Sequence, residues 1–171
     1  MRIREATPDE YEEIGDLTVA AYRALSVWVG DGYAQELTDV AGRAAAGAVI
    51  LVAEDGDGSM LGTVTLTLEP SPLFEWEWGV DGDCGFRMLA VDPAAWGRRS
   101  GPALVKECIR RARAAGRHRM IIGSTTWMTT AHRMYESLGF ERRPDLDQQW
   151  GEITGWAFVL DLDRPPPPTP V

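Results

Sequence analysis

Residues 86–108 constrain the fold more than any other stretch. The apolar run FRMLAV at 86–91 has strand character and meets Asp92-Pro93, and the bend Trp96-Gly97-Arg98-Arg99-Ser100-Gly101 follows. Proline lacks the N–H that a ladder needs, so a strand ends there. From Gly101 to Ala115 the spacing is helical, with Leu104, Cys108 and Ala112 on one side and Lys106, Arg110 and Arg113 on the other. A strand that passes through a tight bend into an amphipathic helix implies a sheet with that helix packed on it. The bend also converges backbone N–H groups on the positive end of the helix, which is the physics of an anion site. Gly97 and Gly101 permit close backbone approach, and Arg98 or Arg99 offers charge-assisted hydrogen bonds. The bland alternative is an ordinary connection with solvated arginines. No GxxxxGK[ST] or GxGxxG is present, so the two standard nucleotide loops are excluded.

The rest of the chain supplies a mixed α and β pattern around this unit. Residues 2–6 suit a short strand, and Thr7-Pro8-Asp9-Glu10 carries the cap, first-turn proline and acid of a helix start. Ile14, Leu17, Ala21 and Leu25 then mark one helical face, and Ala34, Leu37, Ala41 and Ala44 predict a second helix over 33–46, weakened by Gly42. AVILVAE at 48–54, the turn Asp55-Gly56-Asp57-Gly58 and LGTVTLTLE at 61–69 form a β-hairpin. Residues 74–85 are expected to be a long loop dense in Trp and carboxylates. A short strand at 120–123, a helix over 130–138 ended by Gly139, and a strand at 156–162 complete the order. Few strands alternate cleanly, which favours a sheet covered by helices on both faces. One domain over 1–163 is expected, followed by an extended Pro-rich tail at 164–171.

Two motifs in this order resemble the GNAT superfamily of N-acetyltransferases. Arg98-Arg99-Ser100-Gly101-Pro102-Ala103 is similar to its (Arg/Gln)-x-x-Gly-x-(Gly/Ala) pyrophosphate motif, after Met88-Leu89-Ala90-Val91-Asp92-Pro93, which resembles its central bulged strand. Ala131-His132-Arg133-Met134-Tyr135-Glu136-Ser137-Leu138-Gly139-Phe140 is similar to its A-x-x-φ-Y-E-x-L-G-F signature. The resemblance runs from Ile3 to about Leu160 and implies an α+β fold, a mixed and mostly antiparallel sheet of six to seven strands with about four helices.

It further implies acetyl-CoA as cosubstrate. The amides of Arg99, Ser100, Gly101 and Ala103 would hold the pyrophosphate with Arg98 near the phosphates, and Ala90 and Val91 would present backbone groups to the thioester. Leu89, Pro102, Thr130 and His132 fall along the same implied cofactor path, although His132 on its own residues is a surface histidine. Tyr135 is the family-matched acid for the departing thiolate, since a phenol keeps its proton at neutral pH and can donate it. Gly85 stands where related enzymes often carry a glutamate base, so the base falls to Asp83, Asp81, Glu77 or Glu75, or the amine arrives neutral.

For the acceptor, Glu75, Trp76, Glu77, Trp78, Asp81 and Asp83 form a carboxylate–aromatic cluster suited to an amine, with Tyr22, Trp28 and Tyr33 as an opposite wall. The same loop is otherwise a set of solvated charges beside structural tryptophans. The reading is acetyl transfer to a primary amine of a small molecule or peptide; the alternatives are a noncatalytic acyl-CoA-binding module and a transferase for longer acyl groups. Eight of the 17 Lys+Arg residues lie between Arg98 and Arg119, but the net charge is −9, so nucleic acid is not an expected partner. Cys84 and Cys108 leave a single disulfide open on paper and make no cysteine-rich metal site; neither histidine has metal-ligand spacing. Trp127 and Met128 precede the last helix and read as packing residues, with the lining of the thioester channel or cofactor mouth as the alternative. With no signal core and no apolar run of about 20 residues, a cytoplasmic location and no membrane partner are expected, and a homodimer is left open.

Overall fold

A computed structural model describes residues 1–25, 31–69 and 81–164. Among these, eight strands make one sheet: β1 (Arg2–Glu5), β2 (Val49–Glu54), β3 (Met60–Thr67), β4 (Asp83–Val91), β5 (Arg119–Thr125), β6 (Glu141–Arg142), β7 (Gln148–Trp150) and β8 (Ile153–Asp161). Its order is β1-β2-β3-β4-β5-β8-β6, with β7 also on β8. Every pairing is antiparallel except β4 with β5. The helices are α1 (Tyr11–Ala24), α2 (Asp31–Thr38), α3 (Val40–Ala45), α4 (Ser100–Ala114) and α5 (Thr129–Ser137). The mixed α+β class is as expected; the strand count exceeds the expected one through the short β6 and β7.

Period-two alternation divides the sheet's side chains between two covered faces. On β2, Leu51 and Ala53 join Leu104, Val105 and Cys108 of α4, while Ile50 and Val52 meet Ile14 of α1 and Val40 of α3. This explains why the β2 sequence is apolar without alternation. Farther along, Met120, Ile122 and Phe158 belong to the α4 side, and Ile121, Ala157 and Val159 pack on the other side with Leu146.

Several boundaries differ from the sequence expectation for physical reasons. The helix expected over 33–46 is two helices, because Asp39 turns its Oδ1 to the Gly42 N–H at 2.9 Å and starts α3 as an N-cap. A Cβ on Gly15 would lie 3.0 Å from Thr38 Cα, so that glycine allows α1 and α2 to touch. Strand β4 begins at Asp83, within the expected loop, because Asp83 and Cys84 pair in parallel with Arg119 and Met120. Leu25 is 44 % exposed and so leaves the α1 stripe. No helix among the described residues is long and apolar enough to cross a membrane. The loop residues Trp28, Glu75, Trp76, Glu77 and Trp78 and the tail at 165–171 lie outside the described residues.

Candidate active site

The site is created by a strand pair that separates. β4 meets β5 only at Asp83↔Arg119 and Cys84↔Met120, although β4 continues to Val91 and β5 to Thr125. On its other edge β4 pairs with β3 in a register that shifts between Thr63↔Ala90 and Thr65↔Arg87, and Met88 there takes φ 53°. That irregularity bends β4 away from β5. Gly62 lies so close to β4 that a Cβ would stand 2.6 Å from Ala90 O.

A cavity of about 550 Å³ fills the resulting cleft. Leu89 and Val91 of β4 form one side, the start of α4 another, and Trp127 to Ala131 with Met134 and Tyr135 the third. Leu25, Trp96 and Trp127, three exposed large apolar residues at 44 %, 51 % and 46 % exposure, edge it. Trp96 is fixed by its indole Nε1, which donates to Val91 O at 3.2 Å. Trp127 and Met128 both line the cavity, the second of the two readings their position allowed.

At the α4 end the cavity is built for an anion. Gly97 has φ 84° and Arg99 φ 62°, so the bend turns left-handed twice before the helix starts. The first-turn N–H groups have no intrahelical acceptor, Pro102 has no N–H, and the first turn carries no acidic residue to occupy them. Ser100 is 1 % exposed, borders the cavity, and its Oγ has no hydrogen-bond partner among the described residues. A buried hydroxyl left unpaired costs roughly 1–3 kcal/mol, which makes this one a waiting donor. These features fit a pyrophosphate: free N–H groups, an unpartnered hydroxyl and the Arg99 side chain on one wall.

Arg99, not Arg98, is the cation on that wall. Arg98 turns outward and its Nη2 donates to Asp55 Oδ2 at 2.8 Å in the β2–β3 turn. Ala90 faces β3, and neither it nor Ala103 borders the cavity; Ala103 N donates to Arg99 O at 3.2 Å as an ordinary helical bond. Leu89, Val91, Ser100, Gly101, Pro102 and Thr130 do border it. His132 does not: it is 6 % exposed, its Nε2 lies 3.1 Å from Ser124 Oγ and 3.0 Å from Thr125 O, and its ring stacks on Trp156. Burial pushes its pKa down, so it is a neutral packing residue on the far side of α5.

Tyr135 reaches the cavity from α5. Its ring is held by Phe86, Phe140 and Phe158 at centroid distances of 5.9, 5.8 and 5.7 Å. Burial pushes its phenol pKa up, so the proton stays on at neutral pH. Asp83, by contrast, is locked to Arg119 by two hydrogen bonds, Nε to Oδ1 at 2.9 Å and Nη2 to Oδ2 at 2.7 Å. It stands where β4 and β5 are still paired, and it does not border the cavity. No carboxylate of the described residues borders the cavity. Asp81 is exposed, and Tyr22 and Tyr33 meet edge to face with centroids 6.1 Å apart.

The remaining arginines of the 98–119 strip are largely paired or spent on carbonyls. Arg110 and Arg111 bind Glu107, Arg117 binds Glu69, and Arg113 donates to Leu162 O and Arg164 O. Cys84 and Cys108 are buried free thiols; burial pushes Cys84 up to about 12 and Cys108 up as well.

The sequence profile of the Acetyltransferase (GNAT) family matches residues 9–140. The chain belongs to this family. An uncharacterised N-acetyltransferase of Schizosaccharomyces pombe is 31 % identical over 93 residues, 54 % of this chain, and the chain spans about half, 52 %, of that relative's length. A GNAT-family acetyltransferase from Staphylococcus aureus superposes with TM-score 0.74 at 13 % identity, covering 95 % of this chain and 99 % of that one. A Salmonella typhimurium protein assigned as an acetyltransferase, solved with acetyl-CoA, gives TM-score 0.66 at 23 % identity over 99 % of this chain and 98 % of its own. At these identities the two structures establish the GNAT fold. Strands β4 and β5 and helices α4 and α5, which bound the cleft, all begin within the matched span.

Proposed function

We propose that this GNAT protein transfers the acetyl group of acetyl-CoA directly to a primary amine within a ternary complex. The observation that carries the proposal is the continuity of one cleft, from the unpaired N–H groups and Ser100 Oγ at the start of α4 to the buried Tyr135 phenol. The solved relative that holds acetyl-CoA supports the choice of cosubstrate. Arg99, Ser100 and Gly101 would hold the pyrophosphate, and the β4 backbone at Leu89 and Val91 would lie along the pantetheine arm. Acetyl-CoA, when bound, supplies the thioester carbonyl as electrophile.

The chain's own contribution is then positioning and one proton. The separated strands aim the amine at the carbonyl, the C–N bond forms as the C–S bond breaks, and Tyr135 donates its hydroxyl proton or hydrogen bond to the leaving sulfur. The amine loses a proton in the same turnover. With Asp83 committed to Arg119 and no described carboxylate on the cavity, the amine enters neutral or gives its proton to Glu75 or Glu77, the two loop acids retained as proposed bases.

Calorimetric titration with acetyl-CoA and a thiol-release assay over a broad amine panel test this reading. Tyr135→Phe is expected to lower kcat by about 100-fold while acetyl-CoA still binds. An unchanged kcat in that variant removes Tyr135 from the chemistry. Acetyl-CoA binding without turnover on any amine replaces the transferase by a noncatalytic binding module, and turnover only with longer thioesters replaces the acetyl group.

A further inference from the structure

The edge of β4 that opens the cleft is capped by a side chain. Asp92 N donates to Leu61 O at 3.0 Å, and Ala90 O lies against Gly62, so Ala90 and Asp92 turn their backbone groups toward β3. Successive residues of a strand turn these groups to opposite edges, so Val91 presents its N–H and C=O to the other edge. Strand β5 has left that edge, because its pairing with β4 stops at Cys84↔Met120. Val91 O therefore points into the gap between the strands, and this is the oxygen that accepts the Trp96 indole N–H at 3.2 Å. An open strand edge is a template for any extended chain, and here an indole donor occupies one of its acceptors.

The cap is free to move. Trp96 is about half exposed, and the bond to Val91 O is the one hydrogen bond its indole makes among the described residues. It stands between the short turn Pro93–Ala95 and Gly97, which has φ 84° and no atom within 4 Å of where a Cβ would lie. The ring thus has space at the mouth of the cleft, and leaving the edge gives up a single neutral hydrogen bond, whose net worth is small. Trp96 and Val91 both border the cavity that reaches Tyr135.

We infer that Trp96 is a displaceable cap on the β4 edge, and that the amide-bearing arm of the cosubstrate displaces it. This inference rests on the acetyl-transfer reading, in which that arm lies along β4. One of the arm's secondary amides puts its N–H on Val91 O in place of the indole N–H, in the manner of an added strand, and the ring swings off the edge. One donor is exchanged for another and no covalent bond changes. Trp96 is then a specificity-determining residue for the arm. A ligand that fills only the anion cradle, such as ADP, brings no amide to the edge and leaves the indole in place.

The test follows the indole N–H resonances of 15N-labelled protein. The chain has seven tryptophans, and the resonance missing from Trp96→Phe is that of Trp96. Acetyl-CoA is expected to move this resonance, and so is S-acetylpantetheine, an arm without a pyrophosphate, whereas saturating ADP leaves it in place. Trp96→Phe keeps an aromatic ring but has no donor for Val91 O, so calorimetry is expected to show acetyl-CoA binding about two- to tenfold more tightly and ADP within about twofold of the parent. A Trp96 resonance that stays in place with saturating acetyl-CoA, or that ADP moves as far, makes the indole a fixed wall and overturns the inference. Unchanged or weaker acetyl-CoA binding by Trp96→Phe overturns it as well. Failure of the transfer reading looks different. If acetyl-CoA binds neither protein, the cosubstrate and the cap fall together. If acetyl-CoA moves Trp96 but no amine is acetylated, the transferase falls and the cap stands.

Discussion

Exchanging Arg99 for glycine should stabilise the free protein and weaken acetyl-CoA at the same time. Arg99 holds φ 62° and ψ 20° at the residue before α4, a left-handed conformation with no side-chain cap bond to compensate it. For a residue with a Cβ that conformation costs roughly 1–2 kcal/mol, while glycine's extra freedom in the unfolded chain returns about 0.5–1 kcal/mol, so the net gain is about 0.5–1 kcal/mol. For a domain of this length that raises the melting temperature by about 1–4 °C. The same change removes the guanidinium from the anion wall. A screened, charge-assisted contact of about 1.4 kcal/mol there corresponds to a tenfold weaker Kd. Arg98→Ala is the control: its Asp55 partner lies at 2.8 Å with the arginine side chain 51 % exposed, so acetyl-CoA affinity should stay within about twofold. Scanning calorimetry of the ligand-free variants and titration with acetyl-CoA at two salt concentrations measure both quantities. A lower melting temperature in Arg99→Gly refutes the strain argument. A tenfold loss in Arg98→Ala with none in Arg99→Gly refutes the assignment of the two arginines and means that Arg98 leaves Asp55 for the phosphates.

Three further outcomes follow from the same geometry. Asp83→Asn leaves Arg119 without its counter-ion and should cost about 1–3 kcal/mol in denaturant unfolding, with kcat/KM for the amine within about threefold; a collapse of kcat alone would restore Asp83 as a base. Ser100→Ala removes a buried hydroxyl that no described residue satisfies, so the free protein should hold or gain stability while acetyl-CoA binds several-fold more weakly, as read by thermal melts with and without ligand. Hydrogen bonds from Arg4 and Thr7 hold Glu10 down to about 2, below its ordinary 4.5, so its stabilisation is full above pH 5 and lost as pH falls toward 2. Glu10→Gln should therefore lower the melting temperature at pH 7 by roughly 2–4 °C and flatten its fall between pH 5 and 2, with Glu107 still titrating; an unaltered slope would remove Glu10 from the acid response.

What the sequence made legible was whatever short stretches of chain determine by themselves. Pro93 ends β4, Gly97 opens the bend, and Leu104, Cys108 and Ala112 turn α4 inward, all within about twenty residues, so the strand–bend–helix unit and its anion physics could be read directly. The break before α3 was less visible because Asp39 caps it through one side-chain oxygen inside an otherwise continuous apolar spacing. The bulge of β4 at Met88 was legible only through the resemblance of residues 88–93 to a bulged strand, since a left-handed position usually advertises itself by glycine and Met88 carries a full side chain.

Side-chain roles escaped wherever a distant partner decides them. Asp83 has the chemistry of a base in sequence, but Arg119, 36 residues away, takes both its oxygens. His132 lies in the same signature as Tyr135, yet Trp156 and Phe158 of β8 stack on its ring while Tyr135 reaches the cleft, so one helix presents a packing residue and a cavity residue three positions apart. Arg98 and Arg99 are adjacent and chemically identical, and the left-handed turn between them sends one to Asp55 and the other to the cavity. Arg43 was the largest omission. In sequence it is one more polar residue of a helix, whereas the fold buries it, with Nε donating to Thr65 Oγ1 and Nη1 to the carbonyls that end α2.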